Sequence, residues 1–206
     1  MAIWAIVPVK PFLRSKSRLA GVLTPQERAG LSRNFLGHAL EVLAQVTAVS
    51  QVLVVSRDPA ALALAHERHA RTVTESGAPD LNAALTRATR VAVASRAEAV
   101  LILPTDLPFL APDDVRQLIE LDGASGSSGL VSIAPDRKED GTNALFAAPP
   151  GLLAYAFGEH SFAKHLALAE AAGARVRVCR LPGVALDIDG PDDLRAYQAA
   201  REPKVR

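Results

Sequence analysis

The chain has 206 residues, 49% of them hydrophobic, and its 23 Lys and Arg against 22 Asp and Glu leave a net charge of +1. This balance excludes the concentrated positive charge of a nucleic-acid-binding domain, and no apolar run reaches the roughly 18 residues of a membrane span. No basic segment precedes the first apolar run, as it would in a signal peptide, so we expect a cytoplasmic protein whose single Cys179 is a half-buried thiol.

The first half of the chain alternates apolar strands with helices. Strands are predicted over 2–9, 51–57, 71–75 and 99–104, and helices over 24–46, 58–70, 80–95 and 111–122. Thr24 is a favourable N-cap for the first helix, with Pro25 at the first helical position and Glu27 completing a capping box. Because the strands are continuously apolar rather than alternating, they indicate a parallel sheet that helices cover on both faces.

The regular alternation ends after the fourth helix, where two strands follow each other without a helix between them. The remaining predicted elements are these strands over 129–135 and 142–148, a helix over 161–174 capped by Ser161, a strand over 175–181, and a segment from 184 that is extended until a helix begins at Pro191. Residues 123–129 are predicted to form a loop and residues 203–206 a frayed end. Because no linker or repeat interrupts this order, we predict one α/β domain over residues 1–206.

The fourth predicted strand ends on a carboxylate, in the segment LILPTDLPFL (101–110). Ligands of open parallel sheets bind beyond the carboxyl ends of the strands, so Asp106 would face a crevice rather than the core. The structural alternative is that Asp106 caps a tight turn before Pro108.

A second acidic feature is the segment ALDIDGPDD, which carries Asp187 and Asp189. Residues two apart on an extended segment point to the same face, roughly 6.6 Å apart, so the two carboxylates repel unless a cation lies between them. Mg²⁺ binds a few carboxylate oxygens together with substrate phosphates, which makes this pair a candidate magnesium site. The alternative is a solvated edge that turns at Gly190, with Asp192 or Asp193 starting the last helix.

Four cations lie in the loop after the first strand, PVKPFLRSKSRLAG (8–21), which we call the basic loop: Lys10, Arg14, Lys16 and Arg18. Such a cluster can be an ordinary solvated surface. Here it is expected at the same edge of the sheet as Asp106, and cations for phosphates beside carboxylates for Mg²⁺ indicate a nucleoside triphosphate. The loop has neither the P-loop nor the G-x-G-x-x-G pattern, which excludes P-loop NTPases and dinucleotide-binding dehydrogenases.

Five segments, in order and spread over nearly the whole chain, resemble the 2-phospho-L-lactate guanylyltransferases of coenzyme F-420 biosynthesis, a family that includes enzymes using phosphoenolpyruvate. The segments are PVKPFLRSKSRL, LPTDLPFL, DGTNALF, FGEHSFAKHL and LDIDGPDDL. The resemblance implies the fold of the nucleotide-diphospho-sugar transferases, a three-layer α/β/α sandwich on a mostly parallel sheet.

The resemblance also implies a reaction, in which a phosphate oxygen of a small phospho-acid attacks the α-phosphorus of GTP and pyrophosphate leaves. The residues that it assigns are Asp106, Asp187 and Asp189 for the metal, Thr142, Gly158 and Ser161 for the phospho-acid, and the cations of the basic loop for the triphosphate. Because the attacking phosphate is already an anion, no nucleophilic side chain is needed, and cations must offset the repulsion between the two substrates.

The sequence around the phospho-acid residues is consistent with anion binding. Gly158 allows close backbone approach, and the predicted helix start at Ser161 offers free amides and a positive dipole end, to which Lys164 adds charge. An ordinary serine cap with a solvated lysine is the alternative. For guanine recognition the candidate is the loop 76–82, which ends in Asn82.

The resulting hypothesis is an Mg²⁺-dependent guanylyltransferase whose partners are GTP and a small phospho-acid, without nucleic acid or membrane, and with a homodimer left open. One alternative is nucleotidyl transfer to another small phosphate or sugar phosphate. Another is a nucleotide-binding domain without turnover, against which the three carboxylates argue. The sequence does not distinguish phospholactate, phosphoenolpyruvate and phosphoglycerate as acceptors.

Overall fold

Within residues 1–121 and 129–201, the part of the chain that the computed structural model describes, seven strands form one sheet. The strands are β1 (Ile3–Val9), β2 (Val49–Ser56), β3 (Arg71–Thr74), β4 (Ala99–Ile102), β5 (Leu130–Pro135), β6 (Thr142–Ala148) and β7 (Arg175–Val178). Most of the predicted loop 123–129 and the predicted frayed end 203–206 lie outside the described residues.

The helices of the described residues follow the predicted order closely. They are α1 (Pro25–Ala44), α2 (Pro59–Glu67), α3 (Leu81–Ala94), α4 (Pro112–Ile119), α5 (Ser161–Ala171), α6 (Pro182–Ala185) and α7 (Pro191–Arg201). The capping box predicted for α1 is confirmed, since the Thr24 hydroxyl accepts from the Glu27 amide and the Glu27 carboxylate accepts from the Thr24 amide. None of these helices is both long enough and apolar enough to cross a membrane.

The strand order is β3-β2-β1-β4-β6-β5-β7. Strand β6 is antiparallel to both of its neighbours, β4 and β5, while the other pairs are parallel. The reason is local, because a six-residue loop joins β5 to β6 and only a longer crossover could make them parallel. The predicted mostly parallel sheet is therefore confirmed.

Apolar side chains on both faces of the sheet produce the predicted three layers. On one face, Leu36 and Leu40 of α1 pack with residues of α2 and α4 against β1 and β4. On the other face, Leu85 of α3 and Phe162 of α5 pack against alternate residues of the same strands. Burial on both faces explains why the strands are apolar at consecutive positions.

Two local predictions are wrong. Ser161 is not the N-cap of α5, because His160, at a φ of 55°, makes a left-handed turn and leaves Ser161 as the first helical residue. The segment from 184 is not extended at its start, because Pro182 begins a helical turn that places Val184 in the core. Proline is well suited to a first helical position because its φ is fixed near the helical value.

The strand order creates a crevice between β1 and β4. After β1 the chain moves outward to β2 and β3 on one side and later returns to β4 on the other, so β1 and β4 form the switch point beyond whose carboxyl ends open sheets bind ligands. Because β6 is antiparallel to β4, its first residue, Thr142, lies at this same edge of the sheet. The segment before α7 also reaches the crevice, where the Ile188 amide donates to the carbonyl of Asp106 at 3.1 Å.

Candidate active site

The basic loop is anchored to α1 and folds into two short 3-10 turns, Phe12–Arg14 and Ser17–Leu19. The Ser15 hydroxyl lies 2.7 Å from the carbonyl of Phe12 and 2.6 Å from the hydroxyl of Ser32, and Leu19 is fully buried. Lys16, between the two turns, has a left-handed φ of 53°. With its flanks held in this way, the Lys16 side chain enters the crevice and is only 9% exposed.

Lys16 lies between two of the predicted metal ligands. Its Nζ is 2.8 Å from Oδ2 of Asp106 and 3.9 Å from Oδ1 of Asp189. A guanidinium nitrogen of Arg18 is 3.1 Å from Oδ2 of Asp189. These contacts join residues that are up to 171 positions apart in the sequence, so the fold brings the basic loop and the carboxylates to one place.

Asp187 completes this group, which we call the carboxylate cluster (Asp106, Asp187 and Asp189). Its pKa is raised to about 6, chiefly by burial and further by the charges of the other two carboxylates. Nδ2 of the buried Asn143 donates to Asp187 Oδ1 at 3.5 Å and to the carbonyl of Val184 at 2.8 Å. The part of the shift that comes from Asp106 and Asp189 is repulsion between carboxylates, which a cation placed among them would relieve.

The apolar side chains behind the cluster explain its position. Ile188, between the two acidic residues, is fully buried with Leu19 of the basic loop and Phe35 of α1. Asp187 and Asp189 therefore flank a residue whose side chain points into the core, as expected if the two carboxylates share the other face of the segment. The shared apolar cluster fixes the acidic segment beside the basic loop.

A divalent cation fits the chemistry of the carboxylate cluster, which consists of hard oxygen donors. Nevertheless, among the described residues no three His, Cys, Asp or Glu side chains are arranged so that they could already hold a metal ion. Lys16 and Arg18 neutralise two of the carboxylates instead. A metal ion and the Lys16 ammonium would compete for the same oxygens.

The other two cations of the basic loop are placed differently. Lys10 and Arg14 are exposed, and neither forms an ion pair with any described residue. The four predicted nucleotide-binding cations thus divide into a pair held by carboxylates and a pair open to solvent.

Asn82, the predicted guanine ligand, contacts the backbone of another loop. Its Oδ1 accepts from the Phe157 amide at 2.8 Å, and its Nδ2 donates to the Phe157 carbonyl at 3.1 Å. The contact arises because Asn82 lies in the first turn of α3, beside this loop. A guanine contact would have to use the second hydrogen of Nδ2 or the second lone pair of Oδ1.

The three predicted phospho-acid residues lie together, and we call Thr142, Ser161 and the loop 155–160 the acceptor region. The Thr142 amide donates to Oγ of Ser161 at 2.9 Å, and both residues are buried. Gly158 is exposed, and its φ of 127° is one that residues with side chains rarely adopt. The amides of Gly158 and Glu159 have no acceptor within the described part of the chain.

The start of α5 differs from the open helix terminus predicted from the sequence. The Ser161 amide donates to the carbonyl of Gly158 and the Phe162 amide to that of Asp140, so two helix amides are already satisfied. The ammonium of Lys164 is exposed and donates to the carbonyl of Glu159 at 2.7 Å. The sharp turn at His160 causes this closure, and an anion would meet the loop rather than the helix end.

Sequence reasoning missed two residues of this site, Asn143 and His165. His165 is fully buried, with Nδ1 2.9 Å from Thr142 Oγ1 and Nε2 accepting from the Ala156 amide at 3.0 Å. One available signal was spacing, since His165 lies one helical turn after Ser161. For Asn143 the signal was its position next to Thr142 on a strand. Neighbouring residues of a strand point to opposite faces, so Asn143 could contact a second part of the site.

Comparison with known proteins gives consistent matches over nearly the full chain. Residues 3–198 match the family model described as guanylyl transferase CofC like. The chain is 43% identical over 200 residues to a phosphoenolpyruvate guanylyltransferase of Rubrobacter xylanophilus, covering 97% of this chain and 95% of that protein. It is 36% identical over 194 residues to a 2-phospho-L-lactate guanylyltransferase of Methanothermobacter thermautotrophicus, covering 94% and 83%.

Solved structures share the fold at much lower identity. A putative nucleotide-diphospho-sugar transferase from Desulfovibrio desulfuricans G20 aligns with 100% of this chain and 90% of its own, with a TM-score of 0.76 and 15% identity. A nucleotidyl transferase from Methanothermobacter aligns over 97% of both chains, with a TM-score of 0.65 and 17% identity. The fold expected from the sequence is therefore confirmed.

Proposed function

Because the chain belongs to the CofC-like guanylyl transferase family, we propose that it transfers GMP from GTP to a small phospho-acid, phosphoenolpyruvate or 2-phospho-L-lactate, in coenzyme F-420 biosynthesis. A phosphate oxygen of the acid forms a bond to the α-phosphorus. The bond from the α-phosphorus to the bridging oxygen breaks, and pyrophosphate leaves with its electron pair. The near full-length match to the Rubrobacter protein supports phosphoenolpyruvate as the first acceptor to test.

The observation that carries the proposal is the position of Lys16. Its side chain is 9% exposed, and its ammonium lies 2.8 Å from Asp106 in the crevice between β1 and β4, where open α/β sheets bind their ligands. We assign this crevice to the triphosphate of GTP, with Lys16 and Arg18 exchanging carboxylates for phosphates. The exposed Lys10 and Arg14 would add attraction for the incoming anion.

The carboxylate cluster would hold Mg²⁺. When bound, the ion would supply positive charge at the phosphates and stabilise the charge that develops on the leaving group. The chain's own contribution is to gather three carboxylates, to bury Asp187 and to orient it with Asn143. Neutralisation by the metal would also release Lys16 for the nucleotide.

The acceptor region would hold the phospho-acid beside the nucleotide. Thr142 and Asn143 are consecutive residues of β6, and Asn143 contacts Asp187 of the carboxylate cluster. Two sites joined by one strand can therefore bring the attacking phosphate to the α-phosphorus. Holding the two anions together and cancelling their repulsion supplies the catalysis, without a nucleophilic side chain.

Pyrophosphate release from the purified protein tests the function. GTP and Mg²⁺ would be incubated with phosphoenolpyruvate, 2-phospho-L-lactate, 2-phosphoglycerate or a sugar 1-phosphate, and the guanylylated product identified by mass. We expect release with phosphoenolpyruvate or phospholactate. Release with the sugar phosphate alone would support the sugar branch instead, and GTP binding without release from any acceptor would support a domain without turnover.

We further propose a single catalytic domain over residues 1–206 that acts in the cytoplasm on small molecules. The common sheet, with both parts of the site at one edge, supports this organisation. Sedimentation of the purified protein would distinguish a monomer from a homodimer.

A further inference from the structure

His165 joins the two sides of the acceptor region. It lies on α5, fully buried, with the edge of its ring against Phe157 at 4.8 Å between centroids. One ring nitrogen faces the loop at Ala156 and the other faces Thr142 on β6. A histidine with a partner at each nitrogen has a defined proton position, which can be deduced.

The backbone determines where the proton is. The Ala156 amide can only donate, so the Nε2 atom 3.0 Å away must accept and carries no proton. Burial lowers the pKa of His165 to about 4, with a smaller contribution from the charge of Lys164, so the ring is neutral at pH 7. Its one proton therefore lies on Nδ1 and is donated to Thr142 Oγ1 at 2.9 Å.

This assignment determines what Thr142 can do. Its hydroxyl oxygen accepts from His165, and its backbone amide donates to Ser161, so the residue is held at both its side chain and its backbone. Within the described residues nothing accepts the proton of the Thr142 hydroxyl. That proton is left for a group that only accepts hydrogen bonds, such as a phosphate or carboxylate oxygen.

We propose that His165 is a positioning residue, which holds the Thr142 hydroxyl as a hydrogen-bond donor toward the anionic group of the phospho-acid. The inference rests on the proposed function of the acceptor region and adds a residue to it. It also explains how the site recognises an anion although two amides of α5 are already satisfied within the protein. The hydroxyl proton and the unpaired amides of Gly158 and Glu159 are the available donors.

Two amide substitutions separate the roles of the two ring nitrogens. In His165→Asn the side-chain amide nitrogen can take the place of Nδ1, which keeps the donor to Thr142 and loses the acceptor for Ala156. In His165→Gln the amide oxygen can take the place of Nε2, which keeps the contact with Ala156 and loses the donor. We expect His165→Gln to raise the KM for the phospho-acid about tenfold, because the Thr142 hydroxyl is no longer oriented to donate to the charged group, and His165→Asn to raise it less. The KM for GTP should not change in either variant.

A double-mutant cycle tests whether His165 acts through Thr142. Thr142→Val removes the hydroxyl at nearly constant volume and should raise the same KM. Combined with His165→Gln, it should add little to the effect of Thr142→Val alone. Effects that multiply, or an equal rise in the KM for GTP, would overturn the inference in favour of a merely structural histidine.

A measurement on the unaltered protein keeps the inference testable if the variants fold poorly. The ¹⁵N spectrum of the imidazole should show a protonated Nδ1 and an unprotonated Nε2 for His165 at pH 7. The opposite tautomer would overturn the inference about His165 but not the proposed function. By contrast, a failure to guanylylate any phospho-acid would overturn the proposed function, whatever the tautomer.

Discussion

The carboxylate cluster with its basic loop and the acceptor region lie at one edge of the same sheet, yet different forces hold them together. The first is built from ion pairs between distant segments, with Arg18 75% and Asp189 50% exposed. The second is built from neutral hydrogen bonds among buried residues, with Thr142, Ser161 and His165 each at most 6% exposed. Exposed ion pairs are weak and screened by salt, whereas buried hydrogen bonds hold one geometry.

This difference indicates a division of tasks. The exposed ion pair of Arg18 with Asp189 can exchange partners at little cost. The nearly buried Lys16 would move from carboxylates to phosphates only when, as proposed, a metal ion takes its place at Asp106 and Asp189. The acceptor region, by contrast, is held in one geometry, as the proposed binding of one small anion would require. Charge substitutions should therefore change nucleotide binding and turnover with little effect on folding, whereas substitutions in the acceptor region should affect the phospho-acid and stability together.

The largest effect is expected from Asp189→Asn. Removing one carboxylate of the proposed metal site should lower turnover at least about 100-fold, on the scale of other losses of electrostatic catalysis. The fold should persist because exposed ion pairs contribute less than about 1 kcal/mol. Pyrophosphate release and thermal unfolding measure the two effects.

Asp192→Asn is the matched control for Asp189→Asn, since it removes the same charge from an exposed residue that pairs with Arg195 on α7. It should retain the parental rate. Equal activity in the two variants would exclude Asp189 from the metal site.

The next effect concerns the two kinds of cation in the basic loop. Lys16→Gln should weaken GTP binding about tenfold or more, because its side chain is nearly buried in the crevice and a contact with a charged group is lost. Arg14→Gln should weaken it by about threefold at most, as an exposed charge that is screened by salt. GTP titrations at low and moderate salt measure both, and equal effects would remove the distinction between held and open cations.

Gly158→Ala should raise the KM for the phospho-acid severalfold and lower stability. A Cβ at Gly158 meets nothing within 4 Å, so the methyl group would occupy open space where the acceptor is proposed to lie. The φ of 127° adds backbone strain of about 1–3 kcal/mol. Steady-state kinetics and thermal unfolding separate these consequences.

The control for Gly158→Ala is Gly151→Ala, where φ is 76° and a Cβ also meets nothing within 4 Å. Both variants should lose some stability, but only Gly158→Ala should change the KM for the phospho-acid. A similar change in KM in both would mean that strain, not occupation of the site, is responsible.

The effect that is smallest at pH 7 is the loss of stability from the titration of His165, which grows as the pH falls. Because its folded pKa, about 4, is below the value of about 6.5 for an unfolded histidine, protons bind preferentially to the unfolded chain below pH 6.5. The contribution is complete above pH 6.5, is lost as the pH falls toward 4, and amounts to at most about 3 kcal/mol. Denaturant unfolding between pH 4 and pH 7 should show a steeper loss in the parent than in His165→Gln, while the exposed His66→Gln control should match the parent.

Much of the fold followed from local sequence patterns. The apolar strands, the α1 capping box and the consecutive strands β5 and β6 depend on residues a few positions apart, and the structure confirms them. The failures were also local, since a left-handed turn at His160 moved the start of α5 by one residue. A residue with a side chain adopts that turn only where neighbouring contacts hold it, as Asp140 does here at 2.5 Å from the His160 ring.

The sequence by itself determined the order of elements, the family, and which carboxylates, cations and hydroxyls are available, because spacing, capping and motif order are encoded within short segments. Only the tertiary structure decided how they are paired. It placed Lys16 between Asp106 and Asp189, and gave the Asn82 amide to Phe157. It also assigned the proton of His165, since that depends on a backbone amide of a separate loop. These contacts lie beyond local patterns because pairing, burial and protonation depend on which groups the folded sheet brings within a few ångströms.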